Sequence, residues 1–314
     1  MSRTILKIAC ALCVIGIVVC GAVILAKFIR VGNQYANAEQ YTAGAITIND
    51  TVKNLEIDWV DGAVNIAYHA QDTVEIAETA PKAISGDAAL RWWLDGDTLR
   101  VQYAKSGFRS FRGLNKTLTV TLPESVALGE VRIDTTSGDV NVPDLIADDI
   151  LVDMTSGDLA LKQSGAAARV TLSSTSGRIS VDVSRVGRMA VSATSGDIRI
   201  ALGSVREMTV SSTSGGVALD GGEAQKANVD TTSGNIAVRL TSFDSLTIDA
   251  TSGDVTAALP TEPGYTADID TTSGKFDYTV ALAKDGGKYA CGDGSARLRI
   301  DTTSGNVRVE DVNG

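Results

Sequence analysis

Residues 105–116, Lys-Ser-Gly-Phe-Arg-Ser-Phe-Arg-Gly-Leu-Asn-Lys, have side chains suited to binding an anionic ligand. The segment has four positive charges, two phenylalanines and no acidic residue. Guanidinium groups pair with phosphate or carboxylate, and aromatic rings insert into or stack on a surface. The candidate ligand-binding residues are Lys105, Phe108, Arg109, Phe111, Arg112 and Lys116. The pattern suits contact with an anionic envelope polymer, a lipid headgroup or a protein partner. It equally suits a solvated loop that closes one end of the fold, and both interpretations stay open.

Repeated serines and aspartates raise the question of catalysis, which needs a nucleophile beside a base. Ser137 and its equivalents lack such a partner in the sequence pattern, because the only histidine, His69, lies outside the repeats. The sequence has no nucleophile elbow, Walker loop, dinucleotide fingerprint or Cys/His metal spacing. We therefore predict that the chain is not an enzyme and has no catalytic residue, cofactor or metal site. An envelope carbohydrate-active enzyme stays as an alternative on fold analogy alone.

The charge distribution separates an N-terminal segment from an acidic body. The chain has 28 basic and 38 acidic residues, and its first 30 residues hold four basic and no acidic ones. The remainder therefore has 28 − 4 = 24 basic against 38 acidic residues, a net charge of −14. Phosphate backbones need concentrated Lys and Arg, so the body is not expected to bind nucleic acid.

Residues 8–26 form an apolar run of 19 residues between Lys7 and Lys27. A helix needs about 20 apolar residues to cross a bilayer. We therefore predict a single-pass membrane anchor over 1–30 that contacts lipid through 8–26, a polar spacer over 31–44, and a body outside the cell. The alternative is a cleaved signal peptide, with Ala36-Asn37-Ala38 as the cleavage motif.

The body is organised by a repeat, since Thr-Ser-Gly recurs nine times at steps of mostly 19 residues. Apolar residues lie seven and five positions before each glycine and two and four after it, as Val131, Ile133, Val140 and Val142 do around Gly138. Such alternation on both sides of a glycine indicates strand, corner, strand. A third apolar patch, which includes Val183 and Val186, follows six to nine residues after the glycine. One coil cannot bury its inward face alone, so we predict a single-stranded β-solenoid (β-helix) of stacked coils.

The glycines mark the predicted corners, because glycine accepts a positive φ and the preceding hydroxyls can bond the backbone there. The corner glycines are Gly138, Gly157, Gly177, Gly196, Gly215, Gly234, Gly253, Gly274 and Gly305. Aspartate recurs four positions before six of them, at 134, 153, 230, 249, 270 and 301. Two interpretations stay open for these aspartates. They are either solvated carboxylates that accept corner N–H groups or ligands of a bound cation.

Residues 45–128 precede the triplets and are predicted to cap the stack. Leu55, Ile57, Val64 and Ile66 fit the same frame around Gly62, which makes this stretch a degenerate first coil. The pair at 95–96, Asp-Gly, predicts a hairpin turn between two further strands. The regular solenoid is predicted over 129–314.

Three features resemble the bacterial DUF4097 family of putative adhesins: Leu-Thr-Val-Thr-Leu-Pro at 118–123 before the first triplet, the serine-glycine coils, and a glycine-rich interruption at 288–295 before the last coil. The likeness covers about residues 45–312. It implies a β-strand repeat fold and surface adhesion, and it implies no catalytic residues.

Together these features predict a membrane-anchored extracytoplasmic binding or adhesion protein. The alternatives are a self-assembling structural scaffold and, after it, the envelope enzyme.

Overall fold

The computed structural model of the protein describes residues 35–84, 86–108 and 114–313. Within these ranges the regular structure is β, apart from two short 3₁₀ helices at Ala38–Gln40 and Gly86–Ala88. No helix in the described ranges is long and apolar enough to cross a membrane. The predicted anchor at 1–30 lies outside the described residues.

The strands before the first triplet are β1 (Thr42–Ala43), β2 (Ile46–Ile48), β3 (Asn54–Asp61), β4 (Val64–His69), β5 (Val74–Thr79), β6 (Arg91–Asp95), β7 (Thr98–Gln102) and β8 (Thr117–Pro123). The strands of the repeats are β9 (Leu128–Ser137), β10 (Val140–Leu145), β11 (Ala147–Ser156), β12 (Leu159–Ser176), β13 (Ile179–Ser195), β14 (Ile198–Ser214), β15 (Val217–Asp220), β16 (Glu223–Ser233), β17 (Ile236–Arg239), β18 (Ser242–Ser252) and β19 (Val255–Leu259). The last strands are β20 (Gly264–Ser273), β21 (Phe276–Tyr278), β22 (Ala283–Asp285), β23 (Lys288–Gly292), β24 (Ala296–Ser304) and β25 (Val307–Asp311).

The repeats form a parallel β-solenoid, as the periodicity predicted. Corresponding residues of neighbouring coils pair directly, so that Val191 of β13 lies beside Val210 of β14, and Val210 lies beside Val229 of β16. We call the strand segments that end in Thr-Ser the first wall, and the segments that begin two residues after the glycine the second wall. Alternate residues point inward from both walls and are buried.

The predicted third apolar patch completes the core. Val183, Val186 and Val205 are buried between the two walls, and Phe243 is buried near the C-terminal end of the stack. Each coil therefore contributes β-branched and aliphatic side chains from three sides. Stacking places these side chains against like residues of the next coil, which makes one continuous core.

All nine triplet glycines stack along one edge of the solenoid, at the positions predicted as corners. Eight of them have φ between +115° and +154°, a region that glycine alone enters without strain, whereas Gly274 does not have a positive φ in this range. An alanine Cβ at Gly196 would lie 2.1 Å from the carbonyl oxygen of Gly177. Glycine is thus required both for the φ angle and for the close approach of successive coils.

The order of the coils differs from the order of the chain at both ends. At the C-terminal end β24 lies between β18 and β20, and β25 lies between β19 and β21. At the other end β3 lies between β7 and β9, and β4 lies between β8 and β10. The predicted cap at 45–128 therefore contributes two coils, and its second coil is the outer one.

Antiparallel strands finish the ends of the walls. At the N-terminal end β6 pairs with β7 across the predicted hairpin turn, and β1 pairs with the other side of β6. In the second wall β5 pairs with β8, and β2 pairs with the other side of β5. At the C-terminal end β23 pairs with β20 and carries β22. This hairpin of β22 and β23 covers the first wall of the last coil.

Candidate binding groove on the second wall

The structure divides the predicted basic site of residues 105–116. Lys105 Nζ lies 3.1 Å from Asp87 Oδ1, and both side chains are more than half exposed, so its charge is locally balanced. Phe108 is half-buried against the core. Arg109, Phe111 and Arg112 fall outside the described residues, and their role stays a prediction.

Lys116 is fully buried and does not belong to an exposed basic surface, which corrects the sequence prediction at this position. Its Nζ atom lies 2.7 Å from Glu78 Oε2, donates to the carbonyl oxygen of Ala88 at 2.8 Å and also donates to the carbonyl oxygen of Tyr103. The ring centroids of Tyr103 and Trp59 lie 4.0 Å and 5.0 Å from it. Burial lowers the pKa of Lys116, and the hydrogen bond and charge of Glu78 act in the opposite direction. This lysine holds the N-terminal coils together.

Six of the nine triplet glycines are followed by an Asp or Asn whose side-chain oxygen accepts a corner amide of the neighbouring coil. The sequence interpretation assigned this role to the aspartates four positions before the glycine. The amide of Asp158 donates to Asp139 Oδ1 at 2.9 Å, and the amide of Asp254 donates to Asn235 Oδ1 at 3.0 Å. In the same way a backbone amide donates to a side-chain oxygen in four further pairs, which are Arg178 to Asp158, Gly216 to Asp197, Asn306 to Asp254 and Lys275 to Asn306. An Asp or Asn here links one coil to the next at the corner. The interpretation of the earlier aspartates as acceptors of corner amides is therefore wrong.

The aspartates four positions before the glycines form two ladders on the outer face of the first wall, and all of them except the exposed Asp270 are half-buried. Asp230 pairs in register with Asp249, which pairs with Asp301. Burial and, next, the Asp249 carboxylate raise the pKa of Asp230 to about 6. Burial and the charge of Asp301 likewise raise the pKa of Asp249. Among the described residues, no group of three or more His, Cys, Asp or Glu side chains is arranged to hold a metal ion.

His69 does not meet a candidate nucleophile in this structure; its Nε2 atom lies 2.6 Å from the carbonyl oxygen of Thr73. The exposed hydroxyls of the triplets, such as Thr194 and Ser195, lie along the corner edge. The only histidine of the chain is thus hydrogen-bonded to the backbone at the end of β4, and the exposed triplet hydroxyls form a regular row along the corner edge.

An open groove of about 600 Å³ crosses the outer face of the second wall over five coils. Its floor consists of small side chains, of which Ala160 and Ala201 are exposed and Ser180 and Ala218 are half-buried. These residues lie three or five positions after a corner glycine, where the strand directs side chains outward. Small residues at these positions leave the groove between larger outward side chains.

We call the charged residues that line the groove its rim, and their charges balance. They stand in the same two columns as the small residues, because Arg199 lies in register between Ser180 and Ala218 and Ala201 lies between Asp182 and Asp220. Lys162 and Arg199 contribute two positive charges, and Asp182 and Asp220 contribute two negative ones. All four side chains are exposed, and Arg199 also contacts Asp197 at 3.0 Å. Asn141 adds a neutral amide at the N-terminal end of the groove. The rim can therefore donate and accept hydrogen bonds without favouring a ligand of either charge.

Sequence reasoning did not identify this groove, although a signal was present. Outward positions of strands usually carry charged or polar residues, and here the sequence places alanine or serine in four successive coils. The depression forms only when these coils are stacked in register. Spacing within a single coil therefore does not show it.

The Toastrack DUF4097 family model matches residues 52–310 of the chain. The chain belongs to the DUF4097 family. This match confirms the resemblance found in the sequence, and it covers every complete coil of the solenoid.

Solved structures similar to this DUF4097 chain include three from the genus Parabacteroides. A putative adhesin of Parabacteroides distasonis has a TM-score of 0.53 at 15% identity, with 88% of this chain and 98% of that chain covered. A putative adhesin of Parabacteroides merdae has a TM-score of 0.48 at 16% identity, with 86% and 96% covered. A putative lipid binding protein of Parabacteroides distasonis has a TM-score of 0.49 at 15% identity, with the same coverage. None of these is described as an enzyme, and no curated protein matches the chain.

Proposed function

We propose that this chain is a membrane-anchored, adhesin-like binding protein that holds an extended neutral polysaccharide in the groove of the second wall. The observation that carries the proposal is an open groove in which small alanine and serine side chains are interspersed with exposed charges that sum to zero. The putative adhesins of the same fold support the general class of surface binding.

The spacing of the groove suits a sugar polymer. Neighbouring coils are about 4.8 Å apart, close to the length of one sugar residue in an extended polysaccharide. Each hydroxyl group of a sugar both donates and accepts a hydrogen bond. Adjacent pairs such as Lys162 and Asp182, which lie in register on neighbouring coils, can serve both roles. A polymer that runs along the stack would repeat these contacts from coil to coil.

Binding fits the groove better than cleavage does. A glycosidase acid is a carboxyl group held in apolar surroundings so that it keeps its proton. Asp182 and Asp220 are instead exposed on the rim. Solvated carboxylates accept hydrogen bonds from a sugar, which is the role we assign to them.

The anchor and the location of the body belong to the same proposal. The apolar run at 8–26 would hold the chain in the membrane, and the short basic N-terminus favours a body outside the cell. Protease added to intact cells that lack a wall barrier should then remove the body while the anchor stays in the membrane. Complete protection of the body, with cleavage after lysis, would reverse the orientation.

Binding of the detergent-solubilised chain to a panel of neutral and anionic polysaccharides tests the groove. Ala160→Tyr fills the floor and should abolish binding to the neutral polymer. Ala237→Tyr is the matched control, because Ala237 is exposed in the same column of the second wall but outside the groove. Equal binding by wild type and both variants would contradict the assignment of the groove.

Salt dependence distinguishes the groove from the basic segment at 105–116. Binding of a neutral polymer should change little between low and high salt. Binding of an anionic polymer through Arg109 and Arg112 should weaken steeply, because the Debye length falls to about 3 Å at 1 M salt. If binding is to anionic polymers only and is lost in salt, the basic segment replaces the groove as the contact site.

A further inference from the structure

The second wall ends at β21 without a strand on its outer side in the described part of the chain. β21 pairs in parallel with β25 on one side, Phe276 with Val307 and Tyr278 with Val309. The hairpin of β22 and β23 extends the first wall beyond β20 but does not cover β21. The last coil is thus closed on one wall and open on the other.

The backbone of β21 directs alternate residues to the two sides. The carbonyl oxygen of Lys275 accepts from the amide of Val307, and the amide of Thr279 donates to the carbonyl oxygen of Val309. Odd-numbered residues therefore bond to β25, and the N–H and C=O groups of Phe276 and Tyr278 point to the open side. An open edge of this kind is a template for another strand.

The side chains of β21 also lack the coil that would cover them. Phe276 and Tyr278 occupy inward positions of the second wall, yet Phe276 is only half-buried and Tyr278 is 47% exposed. Together with Tyr289 they form an aromatic cluster, with ring centroids 5.1 Å apart for Phe276 and Tyr289 and 5.3 Å apart for Phe276 and Tyr278. Aromatic residues left at the end of a core are typical of an interface.

We propose that β21 is a self-association edge at which two copies of this chain pair antiparallel about a two-fold axis through Phe276. In this register the two Phe276 residues exchange both backbone hydrogen bonds, which matches the open direction of their N–H and C=O groups. Lys275 of each copy then stands opposite Asp277 of the other as a non-hydrogen-bonded pair, where side chains approach most closely. Both side chains are exposed on the outer face.

The charges beside Phe276 indicate that the strand that pairs with β21 belongs to a second copy of this chain. The edge carries one positive and one negative residue placed symmetrically about Phe276, so it is complementary to itself in the antiparallel register. Two identical ion pairs form at once, and both second walls become one continuous sheet across the axis. Phe276 would then be covered by Phe276 of the partner, and Tyr278 would lie opposite Gly274 of the partner and diagonal to its Phe276.

Charge reversal in the full-length, detergent-solubilised chain tests the proposal by sedimentation velocity. The series extends to about 0.5 mM protein, since a contact this short belongs to the weak class of interfaces. Lys275→Asp places two carboxylates opposite each other, and Asp277→Lys places two ammonium groups opposite each other. Each single variant should lower the association constant at least about 10-fold, and the double variant K275D/D277K should restore it.

Thermal melts of the same variants serve as the folding control, because both side chains are exposed and should leave the melting temperature unchanged. Wild-type chain that shows no concentration-dependent association would overturn the proposal. So would single variants that associate as the wild type does, or a double variant that stays as weak as the singles. Polysaccharide binding by the groove does not depend on β21, so failure here and failure of the proposed function are distinguishable.

Discussion

Asp230 offers a test of the carboxylate ladder, since Asp230→Asn should stabilise the protein at pH 8 and have little effect at pH 4. The fold raises the pKa of this carboxyl from 3.8 to about 6 because it is buried beside Asp249. The folded state therefore binds the proton more tightly than the unfolded state does. The contribution of Asp230 to the free energy of unfolding is therefore fully present below pH 3.8 and is lost as the pH rises through 6.

The magnitude follows from the two pKa values. Their difference corresponds to about 3 kcal/mol at about 1.4 kcal/mol for each pH unit. Asp230 is only half-buried, so solvent screening reduces this to about 1 to 2 kcal/mol. Asparagine has the same shape, carries no charge and can donate to Asp249. For a protein of this size the gain should raise the melting temperature by about 2 to 6 °C at pH 8.

Thermal unfolding followed by circular dichroism at pH 4 and pH 8 measures the effect. Asp244→Asn is the matched control, because it removes the same charge from an exposed position on the same strand, β18, that bears Asp249. An equal rise at both pH values would show that the gain is not due to the carboxylate charge. A lower melting temperature at pH 8 would refute the reasoning outright.

Three further predictions concern stability and are checked by denaturant unfolding. Val210→Asp should destabilise by several kcal/mol, because an unpaired charge replaces a side chain that is 0% exposed in the core. Gly215→Ala should cost more than about 2 kcal/mol, since its Cβ would lie 2.2 Å from a carbonyl oxygen, whereas Gly216→Ala, with its nearest neighbouring atom at 3.5 Å, should be nearly neutral. Lys116→Met should destabilise by about 3 kcal/mol because it leaves Glu78 buried without its partner, and adding Glu78→Gln should recover part of the loss. Equal effects of the two glycine variants, or no recovery in the double variant, would contradict these accounts.

The parts of the fold that depend on one coil were predictable from the sequence. The columns around Val210, the glycine edge and the third apolar side follow from periodicity, because stacking repeats the environment of each position. Periodicity shows where a residue lies within its coil, but it does not show which other coils stack on either side of that coil. The insertion of β24 between β18 and β20 was therefore not predicted, although the long step of 31 residues before Gly305 leaves room for it.

The candidate sites show the same limit. Lys116 belongs to a basic segment, and its burial depends on Glu78, which lies 38 residues earlier and is brought to it by the pairing of β5 with β8. The groove depends on small outward residues that only the stacked coils place side by side. The acceptor role of Asp139 and its equivalents was assigned to the wrong column, because both columns are rich in Asp and only the backbone geometry of the corner distinguishes them.

The insertion of the last coil has a consequence for the order in which the strands can pair as the chain emerges from its N-terminus to its C-terminus. β20 and β21 emerge before β24 and β25, yet their parallel partners in the finished protein are those later strands. Because every coil has the same register, β20 can first stack directly on β18, with its triplet beside the same corner. If that pairing forms first, β24 reaches its final place only by strand exchange at a site already paired. The finished order of coils therefore requires β18 and β20 to be apart when β24 enters.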